Sequence, residues 1–272
     1  MSKYNRINWQ TGMEITPQVL TDADNFHIEQ QNLIREQQNL IRRLQVMPCY
    51  GLLPENNTFN VNVSIEGGRL VIKNLTIQAI TPQGELIDEQ GKEYVINDFN
   101  QNISELYITL PNFQVFENLD NNFCMPIAKI NNNYLDYNYI LPCISINSNK
   151  KLLEIYDEIC EKVSKIIEQI KEQIKIQEKY KPIFLPLSLL ELELKSYSKF
   201  ESPAELFLLV KKVAMIFKTS EVLELENIEK LLNETYCHTN IHTIFSIVLE
   251  CLRELEEKTI KKARIVIQIA TK

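Results

Sequence analysis

The side chains best suited to chemistry in this 272-residue chain stand in one short stretch near its C-terminal end. Cys237, His238 and His242 lie close together, and Cys251 follows between two and three helical turns later. Two imidazoles four residues apart share one helix face, and thiolates and imidazoles are ligands of tetrahedral zinc. A hydrolytic zinc helix carries a glutamate beside its first histidine, where this chain has Thr239. We therefore interpret His238 as a capping or packing residue and His242 as a surface or interface residue.

Other candidate patterns are equally poor in catalytic chemistry. The Gly67-Gly68 pair lacks the following lysine and hydroxyl residue of a phosphate-binding loop, and it is typical of a hairpin turn. His27 lies in a glutamine-rich segment without a nearby nucleophile, and acidic pairs such as Glu191 and Glu193 are typical of solvated helix faces. We predict no enzymatic activity, no cofactor and no bound metal.

Charge and hydropathy narrow the class of partner. The net charge of -7 and the pI of about 5.2 repel a phosphate backbone, so proteins are expected as partners rather than nucleic acids. No apolar run reaches the roughly 20 residues needed to span a bilayer, and the first residues lead into no signal-peptide core. The six cysteines form no CxxC pair, which predicts buried free thiols in a reducing compartment. These features predict a cytosolic protein without membrane insertion.

Composition changes near Ser148. Asn, Thr, Val, Ile and Tyr are common before this point, whereas Lys, Glu, Leu and Ile dominate after it, and glycine is absent from residue 92 onward. We predict an α+β protein in which residues 1–148 form an antiparallel β-sandwich domain and residues 149–272 form an α-helical bundle, with a short C-terminal strand or tail. The strand prediction falls on residues 263–271, where isoleucines alternate with other residues.

Local patterns place the elements within these two parts. A helix is expected over about residues 21–43, and Gly67-Gly68 is expected to join two strands of a hairpin. Ser202-Pro203-Ala204-Glu205 is a capping box that opens a helix. The predicted strands cover residues 59–65, 70–73, 75–81, 86–88, 94–96, 106–110, 124–130 and 139–146, and the predicted helices of the second part cover residues 150–181, 186–197, 202–217 and those from about 240.

The long helix after residue 150 carries an apolar stripe of heptad type. Isoleucine at both seam positions favours three or four strands in parallel coiled coils. We therefore predict a homotrimer joined along this helix. The predicted interface residues are Val163, Ile166, Ile167, Ile170 and Ile174.

Several segments along the chain together resemble one protein family. They contain a Trp–Gly–Pro-Gln opening before a helix, a Pro-Gln-Gly turn before a Leu-Ile-Asp strand, a strand ending in Leu-Pro that leads into the long helix, and two helix starts. In this order they are similar to motifs of the TssK family, baseplate subunits of type VI secretion systems. The segments are Trp9–Gln18, Tyr50–Leu52, Gln78–Asp88, Asp136–Ser148, Ser202–Phe207 and Tyr236–Asn240.

The resemblance implies a structural role. TssK proteins form trimers with a β-sandwich shoulder related to phage receptor-binding proteins, a helical neck, and a C-terminal head that docks on the membrane complex. The shoulder joins a wedge that contains TssF and TssG. The resemblance thus implies a cytoplasmic baseplate adaptor near the inner membrane, here without the head, so that a membrane-complex or separate docking protein is expected beyond the neck. The alternatives are a phage-type receptor-binding or tail-adaptor protein and a helical regulator with a β-rich sensor domain.

Two terminal segments are candidate contact sites for these partners. Apolar residues on a polar domain commonly mark partner surfaces, so an N-terminal arm of Ile7, Trp9, Met13 and Ile15 is predicted to bind the wedge, the alternative being that Trp9 packs inside the sandwich. At the other end, the basic stretch Lys258–Arg264 either steers a docking partner or favours the helix C-terminus electrostatically.

Overall fold

Antiparallel sheets form the N-terminal half of the protein and helices form the C-terminal half, so the chain is α+β. The computed structural model describes residues 12–27, 50–54, 59–82, 84–97, 105–110, 114–116, 125–132, 134–175, 177–197, 201–220, 223 and 226–270. Residues 17–27 are helical, which confirms the beginning of the first predicted helix although it starts earlier than expected. The remainder of that predicted helix lies outside the described residues.

The described strands form two separate sheets. In the first sheet β3 is central, with β1 and β2 on one side and β4 on the other. The second sheet has the order β6-β5-β7-β8, and all named pairs in both sheets are antiparallel. The strands are β1 (Gly51–Leu52), β2 (Asn60–Glu66), β3 (Arg69–Ile80), β4 (Leu86–Ile96), β5 (Glu105–Leu110), β6 (Gln114–Phe116), β7 (Met125–Asn131) and β8 (Tyr134–Leu135).

Strands β2 and β3 are joined by the expected hairpin. Gly67 and Gly68 both have positive φ, and Glu66 pairs with Arg69 across the turn. Two positive φ values suit a two-residue turn whose twist matches the strands, and this explains the glycine pair.

Strand β3 is continuous where two strands were predicted. Asn74 has a φ of 52°, and the register shifts between Ile72 and Leu75. A bulge of this kind inserts one residue and changes which side chains face the core. Leu70 and Ile72 before it, and Leu75 and Ile77 after it, are therefore all buried. The expected strands 86–88 and 94–96 likewise merge into β4.

Residues 139–146, which were predicted to form a strand, do not form one. The one ladder contact of this segment among the described residues is a bridge between Leu52 and Cys143. Leu52 N–H donates to Pro142 O at 2.9 Å, and Ile144 N–H donates to Leu52 O at 3.1 Å. Pro142 has no N–H, so it cannot continue a ladder in both directions. A 3-10 turn at Ile146–Ser148 then leads into the first long helix.

Five named helices follow, and their boundaries agree in part with the prediction. The first begins where expected, with the Asn149 side chain accepting from Lys151 N at 2.9 Å. It ends at Ile174, earlier than residue 181, and a new helix begins at Lys181 with Pro182 in its first turn, where the missing N–H costs no helical hydrogen bond. The helix over residues 226–233 was not predicted. The helices are α1 (Lys150–Ile174), α2 (Lys181–Ser196), α3 (Pro203–Ser220), α4 (Glu226–Asn233) and α5 (Ile241–Ala270).

The end of α5 corrects the prediction of a C-terminal strand. The helix continues through Ala270, so residues 263–270 are helical rather than extended. No proline or glycine interrupts residues 241–270, and a lone strand would need a partner for its backbone groups. The alternating isoleucines are thus compatible with a helix, and no helix-breaking residue ends it before Ala270.

One hydrophobic core runs through the sheets and the helices. It includes Leu75 and Ile127 from the sheets, Ile140 from the connecting segment, and Ile170 and Leu252 from the helices. In α5 the six residues Ile244, Ile247, Val248, Cys251, Leu252 and Leu255 are all buried and share one face of the helix. The division at residue 148 stays a prediction, because buried side chains pack continuously across it.

Candidate protein-interaction surfaces

His238, the leading chemical candidate in the sequence, lies at the junction between the sheets and the helices. Its Nε2 is 2.8 Å from Tyr50 O, and its Nδ1 is 2.9 Å from the Tyr236 hydroxyl. A carbonyl oxygen only accepts, so Nε2 carries the proton and Nδ1 accepts from the Tyr236 O–H. The Tyr50 ring meets the imidazole edge-on, with centroids 4.6 Å apart. Both nitrogens are therefore engaged in a structural contact, as the packing interpretation expected.

The surroundings keep this imidazole neutral. Burial lowers the pKa of His238 to about 4, and this effect outweighs the hydrogen bond to Tyr50 O, which acts in the opposite direction. Burial also raises the pKa of the Tyr236 hydroxyl far above its usual range, so the donor keeps its proton. A neutral histidine with both ring nitrogens hydrogen-bonded holds these segments together and is not suited to transfer protons.

Neighbouring contacts reinforce this junction. The Tyr139 hydroxyl donates to Thr239 O at 3.0 Å, and Ile146 N–H donates to Glu201 O at 3.1 Å. Gly51, in β1, packs directly against the backbone of Pro142 and Cys143. Together with the His238 hydrogen bonds, these contacts tie the residues just before α1, α3 and α5 to the β-sheet half.

The thiols and acidic groups form no site in the part of the chain that the structure describes. Within that part, no three His, Cys, Asp or Glu side chains are grouped so as to hold a metal ion. Cys143 and Cys251 are buried, and burial raises the pKa of the Cys251 thiol to about 12. Cys237 is exposed, which corrects the expectation that the cysteines are all buried, and Cys160 is half-buried. Cys49 and Cys124 lie outside the described residues.

The predicted wedge-binding arm is only partly described. Ile7 and Trp9 lie outside the described residues. Met13 is 38% exposed and Ile15 is 63% exposed, just ahead of the helical residues 17–27. Residues 12–27 contribute no side chain to the hydrophobic core. The described part of the arm thus presents apolar side chains to solvent.

The predicted trimer stripe lies inside the protomer. Val163, Ile166, Ile167 and Ile170 are buried in the core of the chain itself, and Ile174 is half-buried. Helix α1 packs against α2 and α5, and ion pairs such as Lys162 with Glu256 at 3.1 Å join it to α5. These side chains are therefore already covered by the same chain. A seam between copies requires a different set of residues.

Replacing Ile170 by alanine tests this placement. We expect the free energy of unfolding to fall by about 2–5 kcal/mol, because a fully buried side chain leaves a cavity. The loss should be the same at every protein concentration in a denaturant titration, and half-buried Ile174→Ala should cost less. A loss that grows on dilution would instead place Ile170 between copies of the chain.

The surface that sequence reasoning missed lies on α2 and α3. Leu185, Leu189 and Leu192 of α2 are 65%, 59% and 65% exposed, and Leu208 and Met215 of α3 are about half exposed. The signal was present, because leucines occupy more than one side of the segment now seen as α2, and a helix that is apolar all round is usually covered all round. On the sheet half, Leu86 and Val95 of β4 are also about half exposed but sit at opposite ends of the strand.

Comparison with solved structures shows a TssK-like fold. The chain is similar to TssK from the type VI secretion system of EAEC, solved in complex with a nanobody: the TM-score is 0.64 at 13% identity over 85% of this chain and 68% of that chain. It is also similar to a chain of the TssK-TssF-TssG baseplate subcomplex, with a TM-score of 0.62 at 13% identity over 94% of this chain and 99% of that one.

A third similar chain comes from the baseplate complex of the type VI secretion system, with a TM-score of 0.62 at 12% identity over 94% of this chain and 100% of that chain. No protein-family model and no curated protein sequence matches the chain. Among the helices in the described residues, none is both long and apolar enough to cross a membrane.

Proposed function

We propose that this protein is a structural subunit of a type VI secretion baseplate. The observation that carries the proposal is the likeness in fold along 94% of the chain to subunits of two baseplate complexes, whose own chains are matched over 99% and 100% of their length. Extended likeness of this kind includes the sheets, the helices and their junction together. A role that depends on shape and contact surfaces is therefore favoured over one that depends on a single site.

The described side chains support a role without catalysis. The imidazole of His238 spends both nitrogens on hydrogen bonds at the junction, and the Cys143 thiol is fully buried with a raised pKa. A buried thiol in apolar surroundings is a poor nucleophile because the thiolate is disfavoured. Of the reactive groups singled out in the sequence, His238 thus serves packing at the junction.

In this proposal the protein is an adaptor in the cytoplasm at the inner membrane. The sheet half, with the N-terminal arm, binds a TssF/TssG-like wedge, and the helical half faces a membrane-complex or docking protein. Several copies associate, as a homotrimer, so that one adaptor presents repeated contacts to its partners. Exposed Met13 and Ile15 are the described side chains on which the wedge contact would depend.

Co-purification with TssF- and TssG-like proteins from the same source tests the wedge contact. We expect the wild-type protein to capture them and Ile15→Asp to reduce capture at least about tenfold, because a charge in an apolar contact costs more than 1.4 kcal/mol. Val95→Asp, at an exposed site on β4, is the matched control and should leave capture unchanged. Thermal unfolding should be the same for all three proteins.

Absence of capture by the wild-type protein would overturn the proposed function. Equal capture by wild type and Ile15→Asp, with both folded, would retain the baseplate role and reject the arm as its wedge contact.

A further inference from the structure

Helix α2 is apolar on two sides. Its inner side packs into the core through Ile183, Leu187, Leu190 and Leu194. Its outer side presents Leu185, Leu189 and Leu192, spaced four and three residues apart, which places them in one row along the helix. Amphipathic helices on a surface carry polar residues there. The outer row of leucines therefore indicates that α2 is covered on its outer side as well as on its inner side.

Helix α3 carries a second row of exposed apolar residues beside the row on α2. Leu208, Lys212 and Met215 repeat the spacing of four and three, so they share one side of α3. The Nζ of Lys212 lies 2.8 Å from Glu193 Oε1, next to Leu192. This ion pair brings the two rows to the same side of the α2–α3 pair. We call Leu185, Leu189, Leu192, Leu208 and Met215 the α2–α3 apolar face.

The area of this face fits a contact between proteins. From the exposed fractions of the five side chains, it amounts to about 500 Å² per protomer, which is as large as the largest apolar patch on most monomers. Two such faces pressed together remove about 1,000 Å² from water, near the lower limit for a specific protein–protein interface. Left in water, that much apolar surface promotes association.

Charge around the face favours a second copy as the occupant. Its charged neighbours are paired within the protomer, Lys212 with Glu193 at 2.8 Å and Lys195 with Glu191 at 2.5 Å. Because acids and bases alternate, an identical surface meets it without net repulsion. A strongly acidic or basic partner would gain nothing from such a balanced rim.

We propose that the α2–α3 apolar face is the contact between copies of this chain. The inference rests on the self-association in the proposed function and names its surface, which replaces the buried stripe of α1. In a homotrimer the faces of the three copies meet around the three-fold axis, so each copy contributes the same leucines. The β-sheet half is left free for other partners.

Light scattering after size exclusion tests the proposal. We expect wild type to elute as an oligomer of the 31.8 kDa chain and Leu189→Glu/Leu192→Glu to elute at the mass of one chain. The matched control, Leu86→Glu/Val95→Glu, places the same charges at sites on β4 that are about half exposed and should keep the oligomer. A monomeric wild type, or a double variant that keeps its oligomeric mass, overturns the proposal.

Cross-linking provides a second measurement that does not introduce buried charge. In a Cys237→Ser background, which removes the thiol that is exposed among the described cysteines, Leu192→Cys should form covalent dimers with a short bismaleimide, and Leu86→Cys should not. Equal cross-linking at the two sites would overturn the proposal. Wedge capture is measured separately, so an intact wedge complex with unchanged oligomers rejects the face alone, whereas loss of capture by wild type rejects the baseplate role.

Discussion

Alanine at Gly51 is expected to lower the free energy of unfolding by about 3–5 kcal/mol, one of the largest effects of any single substitution in this chain. Gly51 has a φ of 120°, which side chains rarely adopt. A β-carbon there would lie 2.7 Å from the amide nitrogen of Cys143 and closer still to the carbonyl oxygen of Pro142. Because both neighbours are backbone atoms, neither can turn aside as a side chain would.

Gly67→Ala is the matched control for this effect. Gly67 also has positive φ, at 57°, but a β-carbon there would meet no atom within 4 Å. Its cost should be about 1–2 kcal/mol, the ordinary penalty of a left-handed residue. Chemical denaturation of both variants measures the difference directly. Equal losses of unfolding free energy at the two glycines would mean that β1 and residues 142–143 can move apart to make room for the added carbon.

Removing His238 is expected to have the second large effect, and one that depends on pH. At neutral pH, His238→Gln should lower the free energy of unfolding by about 2–4 kcal/mol, because two buried hydrogen bonds lose their geometry. The native imidazole has a pKa of about 4 against 6.5 for the free group. Between these values the unfolded chain binds a proton that the folded chain does not.

The sign of the pH dependence follows from that difference. Wild-type stability contains a contribution that is complete above pH 6.5 and is lost as the pH falls towards 4, about 3 kcal/mol in all. The variant has no such contribution, so the gap between the two proteins should narrow by that amount on acidification. Other titrating groups affect both proteins alike and cancel in the comparison.

His242→Gln is the control for this experiment. His242 is half-buried, lies four residues further on, and is not part of the Tyr50–His238–Tyr236 contact. It should stay within about 0.5 kcal/mol of wild type at neutral pH. If the difference in unfolding free energy between wild type and His238→Gln stays constant from pH 7 to pH 4, His238 is not a buried, neutral imidazole in the folded protein.

Local patterns predicted the turns and helix starts well, because the cause of each lies within a few residues. The Gly67-Gly68 turn is an example, and so is the start of α3, where the Ser202 side chain accepts from Ala204 N at 3.2 Å. Strand continuity was harder to predict. A residue such as Asn74 disrupts alternation in the same way whether it ends a strand or forms a bulge within one, and only the paired strand distinguishes the two.

Periodicity identified the buried face of α1 but not what covers it. Val163, Ile166 and Ile170 share one side of the helix, as the stripe predicts, yet the covering surface comes from the same chain rather than from another copy. A heptad pattern indicates that one face of a helix is covered, but it does not indicate whether the covering helix belongs to the same chain or to another copy. In contrast, the second row of leucines on α2 has no cover within the described chain and was recognisable only once α2 had been placed.

The way the helices begin has a mechanical consequence. The hydrogen bond from His238 to Tyr50 joins the segment before α5 to the start of β1, and those from Tyr139 to Thr239 and from Ile146 to Glu201 join the segment before α1 to the segments before α5 and α3. A load applied to the sheets is then passed to the starts of three helices through these hydrogen bonds. We therefore expect the starts of α1, α3 and α5 to move together with the sheets when the protein is loaded.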